Sequence, residues 1–164
     1  MNRDRAIARK QLVRGARALV TQVNRDVRFW WPGPKIVIAL DQPSARFSWV
    51  IRIERAAAQF DGSGLHGKNR RQVWARVYPS GGIPWTWATS HELLEMLEDP
   101  NGKVMQRGAL REICDPVAAV GYYIDGLVVS DFVTPAWFVA GSRGPWDIDD
   151  WLKGPLRWDP ASLA

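Results

Sequence analysis

Residues 90–100 read Ser90-His91-Glu92-Leu93-Leu94-Glu95-Met96-Leu97-Glu98-Asp99-Pro100, and the fold is read outward from this stretch. Glu and Leu are strong helix formers. Asp99, Pro100, Asn101 and Gly102 then form a stop signal. The pattern predicts a helix from about Thr86 to Glu98. Its apolar positions Trp87, Leu93, Leu94 and Leu97 are expected to face a core, with His91 and Glu95 facing outward or into a cleft. Residues i and i+4 lie one turn apart on the same helix face, so His91 and Glu95 can address one small object. Glu92 is rotated by about 100° from His91 and approaches that object from the side.

The flanking sequence supplies a small sheet. Residues 4–26 repeat Leu12, Ala16, Leu19, Val20 and Val23 at helical spacing, with arginines opposite, which predicts an amphipathic helix. Pro32, Gly33 and Pro34 break the chain. Lys35–Leu40 and Phe47–Glu54 are apolar, β-branched or aromatic runs, and both are expected to be strands. Gly62, Gly64, Gly67 and Asn69 mark residues 61–70 as a loop, which leaves His66 in solvent. Gln72–Tyr78 alternates and is read as a third strand. Arg111–Val117 is a short strand or turn. Asp125-Gly126 lies between Tyr122–Ile124 and Leu127–Ser130, a strong hairpin signal. The fold class is therefore α+β: an N-terminal helix, a small twisted sheet, the motif-bearing helix, a C-terminal hairpin and an irregular tail. Residues 1–140 are assigned to the domain and 141–164 to a tail rich in Trp, Pro and Gly.

Composition narrows the functional classes. The chain has 164 residues, 46% of them hydrophobic and 24% charged, enough for one domain with a real core. It contains no apolar run of membrane-spanning length, and its first residues lack the apolar segment of a secretory signal, so no membrane is expected and a cytoplasmic location is. One cysteine, Cys114, excludes an internal disulfide and a multi-cysteine zinc knuckle. The net charge of +5 raises nucleic acid as a partner. Eight of the 22 basic residues, however, fall in positions 1–28, beside an acidic centre at residues 90–100, so nucleic acid is disfavoured. Of the ten tryptophans, Trp137, Trp146, Trp151 and Trp158 crowd the C-terminal third. They are read as core or as a contact with another chain or a second copy.

His-Glu-x-x-Glu over His91–Glu95 parallels the zinc helix motif His-Glu-x-x-His, with a carboxylate in place of the second histidine. A carboxylate still ligates zinc at about 2.0–2.2 Å. In the residues this puts His91 and Glu95 as metal ligands and Glu92 as the base that accepts a proton from metal-bound water. Tyr122 or Tyr123 is a candidate donor to a developing oxyanion. Zinc is the first expectation. One histidine and two carboxylates make a harder site, for which manganese or calcium is an alternative.

The order of elements, with Glu-Ile-Cys-Asp-Pro-Val at 112–117 and Val-Ser-Asp-Phe-Val-Thr-Pro-Ala-Trp-Phe at 129–138, resembles the zincin metallopeptidase fold. The segments are similar to a His-Glu-x-x-Glu zincin-like family found in bacterial and phage-related genomes, often near virion genes. The resemblance covers about residues 85–140. It implies a third metal ligand downstream of the helix. Glu112 and Asp115, 17 and 20 positions after Glu95, are the candidates. In a strand they point to opposite faces, so one of them is expected to reach the metal, and Asp115, held extended by Pro116, is preferred. Asp131 is a further acid able to support or replace it. Cys114 is read as a small core residue before a ligand. The function implied is a metal-dependent hydrolase, a zincin-like peptidase with a peptide substrate. The alternative is a non-catalytic zincin-like structural module of a phage tail or capsid, in which case the location is the virion.

Overall fold

The computed structural model describes residues 7–40, 49–54, 63–70, 72–79, 82–101, 103–106 and 109–156. The chain is mixed α+β. Helix α1 (Arg9–Thr21) widens into a π-turn over Gln22–Val27 and closes with a last helical turn, α2 (Arg28–Trp30). The expected helix at 4–26 is thus present from Arg9 and runs four residues further; positions 4–6 lie outside the described residues. Its inward face carries Gly15, Ala18, Leu19, Val23 and Val27, all buried.

Three strands form the main sheet: β1 (Trp49–Ile53), β2 (Gly64–Lys68) and β3 (Val73–Val77), in the order β1-β3-β2. β1 runs parallel to β3, and β2 antiparallel to it. Alternation along β3 buries Val73, Ala75 and Val77 on one face. Val73 and Ala75 pack with Met96 of helix α3 (Trp85–Glu98). Two short ladders complete the described strands: β4 (Met105–Gln106) with β5 (Ala109–Leu110), and β6 (Gly121–Ile124) with β7 (Leu127–Ser130). The β6–β7 hairpin turns on Asp125 and Gly126, both with positive φ, 50° and 70°, as Asp-Gly turns require.

Two expected elements differ. Lys35–Leu40 is not in a sheet. Its alternate side chains Ile36 and Ile38 pack on the core, while the Asn24 side chain both donates to the Ile36 carbonyl and accepts from its N–H. That amide takes the place of a neighbouring strand. Conversely, residues 64–68 are a strand and not part of a loop. Glycines suggested a loop, but here they serve close packing, as Gly64 shows at the site.

Helix α3 is central. Ten of its 14 residues are buried, so it is not a surface helix with one apolar stripe. Two hydroxyls on one face tie it to the hairpin. Thr86 Oγ1 donates to the Val128 carbonyl at 2.7 Å, and Ser90 Oγ accepts from the Ser130 N–H at 2.6 Å. On another side Trp85 lies against α1 at Gly15, where a Cβ would sit 2.1 Å from Cη2 of the ring.

The described part of the tail is irregular but firmly attached. Val133 bridges to Asp147. Asp131, fully buried, accepts from the N–H groups of Phe132 and Ile148 through Oδ1 and of Asp149 through Oδ2. Buried Asp147 accepts from Trp151 and Leu152. Trp151 itself is 61% exposed. Trp158 lies outside the described residues. No helix among the described residues is long and apolar enough to cross a membrane.

Gly15→Ala is expected to lower the melting temperature. In an ordinary helix interior the change stabilises by about 1 kcal/mol. Here the methyl meets the Trp85 ring, and overpacking of this kind costs about 1–3 kcal/mol. Thermal denaturation checks it, and a raised melting temperature would contradict the contact.

Candidate metal centre

The buried turn of α3 places His91, Glu92 and Glu95 inside the molecule, 6%, 3% and 4% exposed. Sequence periodicity puts His91 and Glu95 on one face, and the structure keeps that relation: His91 Nε2 is 3.2 Å from Glu95 Oε1. The same nitrogen is 3.2 Å from Asp115 Oδ1. Trp87 covers the imidazole, with ring centroids 5.2 Å apart.

Asp115 reaches His91 by a route other than the expected one. The chain is not extended there; Asp115 is the first residue of a short 3-10 turn, Asp115–Val117, with Pro116 at its second position. The strand argument that only one of Glu112 and Asp115 can approach therefore does not hold. Glu112 Oε2 stands 3.6 Å from His66 Nε2, so both acids line the cluster. The Asp115 side chain is 65% exposed and opens the cluster to solvent, whereas Glu112 is 15% exposed.

His66 is the residue that sequence reading missed. The chain has two histidines, and both enter this cluster. β2 pairs with β3 so that His66 lies opposite Ala75 and Gly64 opposite Val77. Cross-strand partners share a face, and Ala75 and Val77 are buried. His66 therefore turns inward, its side chain 6% exposed, and not into solvent. Its Nε2–H donates to the Asp99 carbonyl at 3.0 Å. Nδ1 faces Glu92 Oε2 at 3.3 Å and Glu95 Oε2 at 3.6 Å. The usable signal was the pair of flanking glycines, which let a strand approach a helix closely. At Gly64 a Cβ would come within 2.5 Å of Glu92 Oε1.

Electrostatics follow from burial and crowding. Burial opposes a charged His91, but Asp115 and Glu95 outweigh it and raise its pKa to about 10. Burial likewise opposes charge on His66, yet Glu92, Glu112 and Glu95 raise it to about 9. Glu112 is pushed up to about 7, first by burial and then by Glu95. Glu92 is raised mainly by burial. Several polar atoms are left without hydrogen bonds among the described residues: Glu95 Oε1, Glu112 Oε2 and His91 Nδ1. The 3.2 Å approach of His91 to Glu95 Oε1 is thus close in distance but lacks hydrogen-bond direction. Unpaired buried donors and acceptors cost about 1–3 kcal/mol each, more when charged.

Two sets of potential ligand atoms lie within 4.8 Å of one another: His91, Glu95 and Cys114, and His66, Glu92 and Glu95. Cys114 is fully buried in the core, as expected, and burial with the nearby Glu95 keeps its thiol protonated. Asp115, expected as the third ligand, meets His91 but belongs to neither set, and Asp131, the anchor of the tail, takes no place in them either. The Tyr122 hydroxyl donates to Asp26, and Tyr123 is 73% exposed. Clustered imidazoles and carboxylates of this kind can ligate a divalent ion or relay protons. No family model, curated protein or solved structure matches this chain.

Two outcomes test this geometry. His66 and His91 hold their protons more tightly folded than unfolded, so their stabilisation is complete below about 6.5 and lost as pH rises through about 9 and about 10. Glu112, raised from 4.5 to about 7, acts in the same direction at lower pH. In chelator, the melting temperature should fall by several degrees between pH 6 and pH 9.5; a flat or rising profile would refute the assignment. Separately, Gly64→Ala should displace the Glu92 carboxylate and weaken divalent-ion binding at the set of His66, Glu92 and Glu95 at least tenfold by calorimetry, with the circular dichroism spectrum retained.

Proposed function

We propose that this chain is a metal-dependent hydrolase with a zincin-like arrangement, acting on a peptide bond. The observation that carries the reading is the buried, unpaired Glu95 Oε1 set against His91 in a cluster that opens to solvent at Asp115. A buried carboxylate oxygen left without a hydrogen bond costs free energy even beside a protonated imidazole. A divalent ion would satisfy it.

His91 and Glu95 would hold the ion, with Asp115, 3.2 Å from His91 Nε2, as the third ligand once it closes on the ion, and Glu112 on the His66 side of the cluster. Zinc is the first choice, and manganese or calcium suits the carboxylate content. Such an ion polarises a carbonyl and lowers the pKa of bound water. Glu92, adjacent to His91 and close against Gly64, would accept a proton from water and return it to the leaving amine. β2 lies at one edge of the main sheet among the described strands. Its outer side offers backbone groups to which an extended peptide can add, next to the cluster that His66 enters.

The non-catalytic alternative, a structural module of a phage particle, is supported by exposed Trp151 on an otherwise well-anchored tail. Activity separates the two. Purified protein supplied with zinc or manganese should cleave unstructured peptides. His91→Ala should lose both the tightly bound ion and the activity. Glu92→Gln should reduce turnover by about 10²–10⁴-fold, the usual worth of a general base, while folding is retained. Bound metal without cleavage of any peptide in a diverse library would favour the structural module. Absence of tight metal binding would overturn the metal-centre reading itself.

A further inference from the structure

We propose that the cluster holds two divalent ions, bridged by the Glu95 carboxylate; this rests on the metal-centre reading above. The two oxygens of Glu95 address different histidines. Oε1 faces His91 Nε2 at 3.2 Å, and Oε2 faces His66 Nδ1 at 3.6 Å. The two ligand sets share Glu95 and no other residue. A carboxylate that presents one oxygen to each of two ligand sets is the usual bridge of a two-ion site, in which the ions stand about 3.5–4 Å apart.

The chemistry of the donors supports a second ion on the His66 side. The Nε2–H of His66 is committed to the Asp99 carbonyl, which fixes the tautomer and leaves Nδ1 as the ligating nitrogen once its proton is displaced. Glu92 Oε2 lies 3.3 Å from that nitrogen. Glu112 Oε2, buried and without a hydrogen bond among the described residues, lies 3.6 Å from Nε2, at the other edge of the same imidazole, and adds its charge without joining that ligand set. On the other side stand His91 and Asp115. Four carboxylates and two neutral imidazoles carry four negative charges. One divalent ion balances two of these charges and two ions balance all four, of which Asp115, 65% exposed, is the one open to solvent. Charge this deep is tolerated only when it is paired or ligates metal. In the two-ion state Glu92 is a ligand of the second ion and not the proton acceptor of the one-ion state.

Ion counting and spin coupling separate these states. The full chain is dialysed against Mn²⁺ and its bound metal measured by mass spectrometry, with electron paramagnetic resonance on the same sample. The expected result is two ions per chain and a spin-coupled spectrum in place of the pattern of isolated Mn²⁺. His66→Gln should halve the count and restore the isolated-ion spectrum, as should Glu92→Gln. If His66→Gln fails to fold, the coupled spectrum of the unaltered chain decides. One uncoupled ion per chain, unchanged in Glu92→Gln, would overturn the second ion and leave the one-ion reading standing. Two ions without coupling would overturn the Glu95 bridge. No bound ion would overturn both readings.

Discussion

Helix α3 carries three ionisable side chains into the interior, and the neighbouring elements are arranged to make that tolerable. Ser90 and Thr86 hold one flank to β7, Trp85 is seated against α1 through Gly15, and Met96 closes on Val73 and Ala75 of β3. Packed on these sides, the helix cannot rotate to return His91, Glu92 and Glu95 to water. The charges must be compensated where they are. His66 arrives from the sheet, and Glu112 and Asp115 from the segment after β5. Position in the fold, more than any intrinsic property of the helix, creates the site.

The tail contributes to the same constraint from the far side. β7 ends at Ser130, and the next residue, Asp131, gathers three backbone N–H groups, two of them from the tail. Asp147 repeats the device for Trp151 and Leu152. Irregular chain that would leave its amides unpaired is held by two buried carboxylates. The acids of this protein therefore do two kinds of work. Some satisfy backbone donors, and the α3 cluster lacks enough donors to be satisfied in that way.

Much of this was legible in the sequence. The helical spacing of His91 and Glu95, the Asp-Gly turn and the alternation of Val73, Ala75 and Val77 are local signals, and each appears in the structure. What could not be read is non-local. Lys35–Leu40 has a strand's composition, but the Asn24 side chain, from the preceding helical segment, takes the hydrogen bonds a neighbouring strand would have made. Asp115 was expected in an extended chain and sits in a 3-10 turn, which lets Glu112 reach the cluster as well. His66 was assigned to solvent because glycines surround it. Only its pairing with β3 turns it inward, and pairing is a property of two segments.

That pairing gives the edge strand a significance beyond its size. Side chains alternate across a strand, so a slip of one residue between β2 and β3 would turn Leu65 or Gly67 toward α3 and His66 away. The close approach of Gly64 to Glu92 and the bond from His66 to the Asp99 carbonyl both distinguish the correct alignment. A one-residue slip would remove His66 from the cluster while leaving the α3 residues and Glu112 and Asp115 in place. The register of this one strand therefore decides whether the α3 carboxylates meet an imidazole from the sheet.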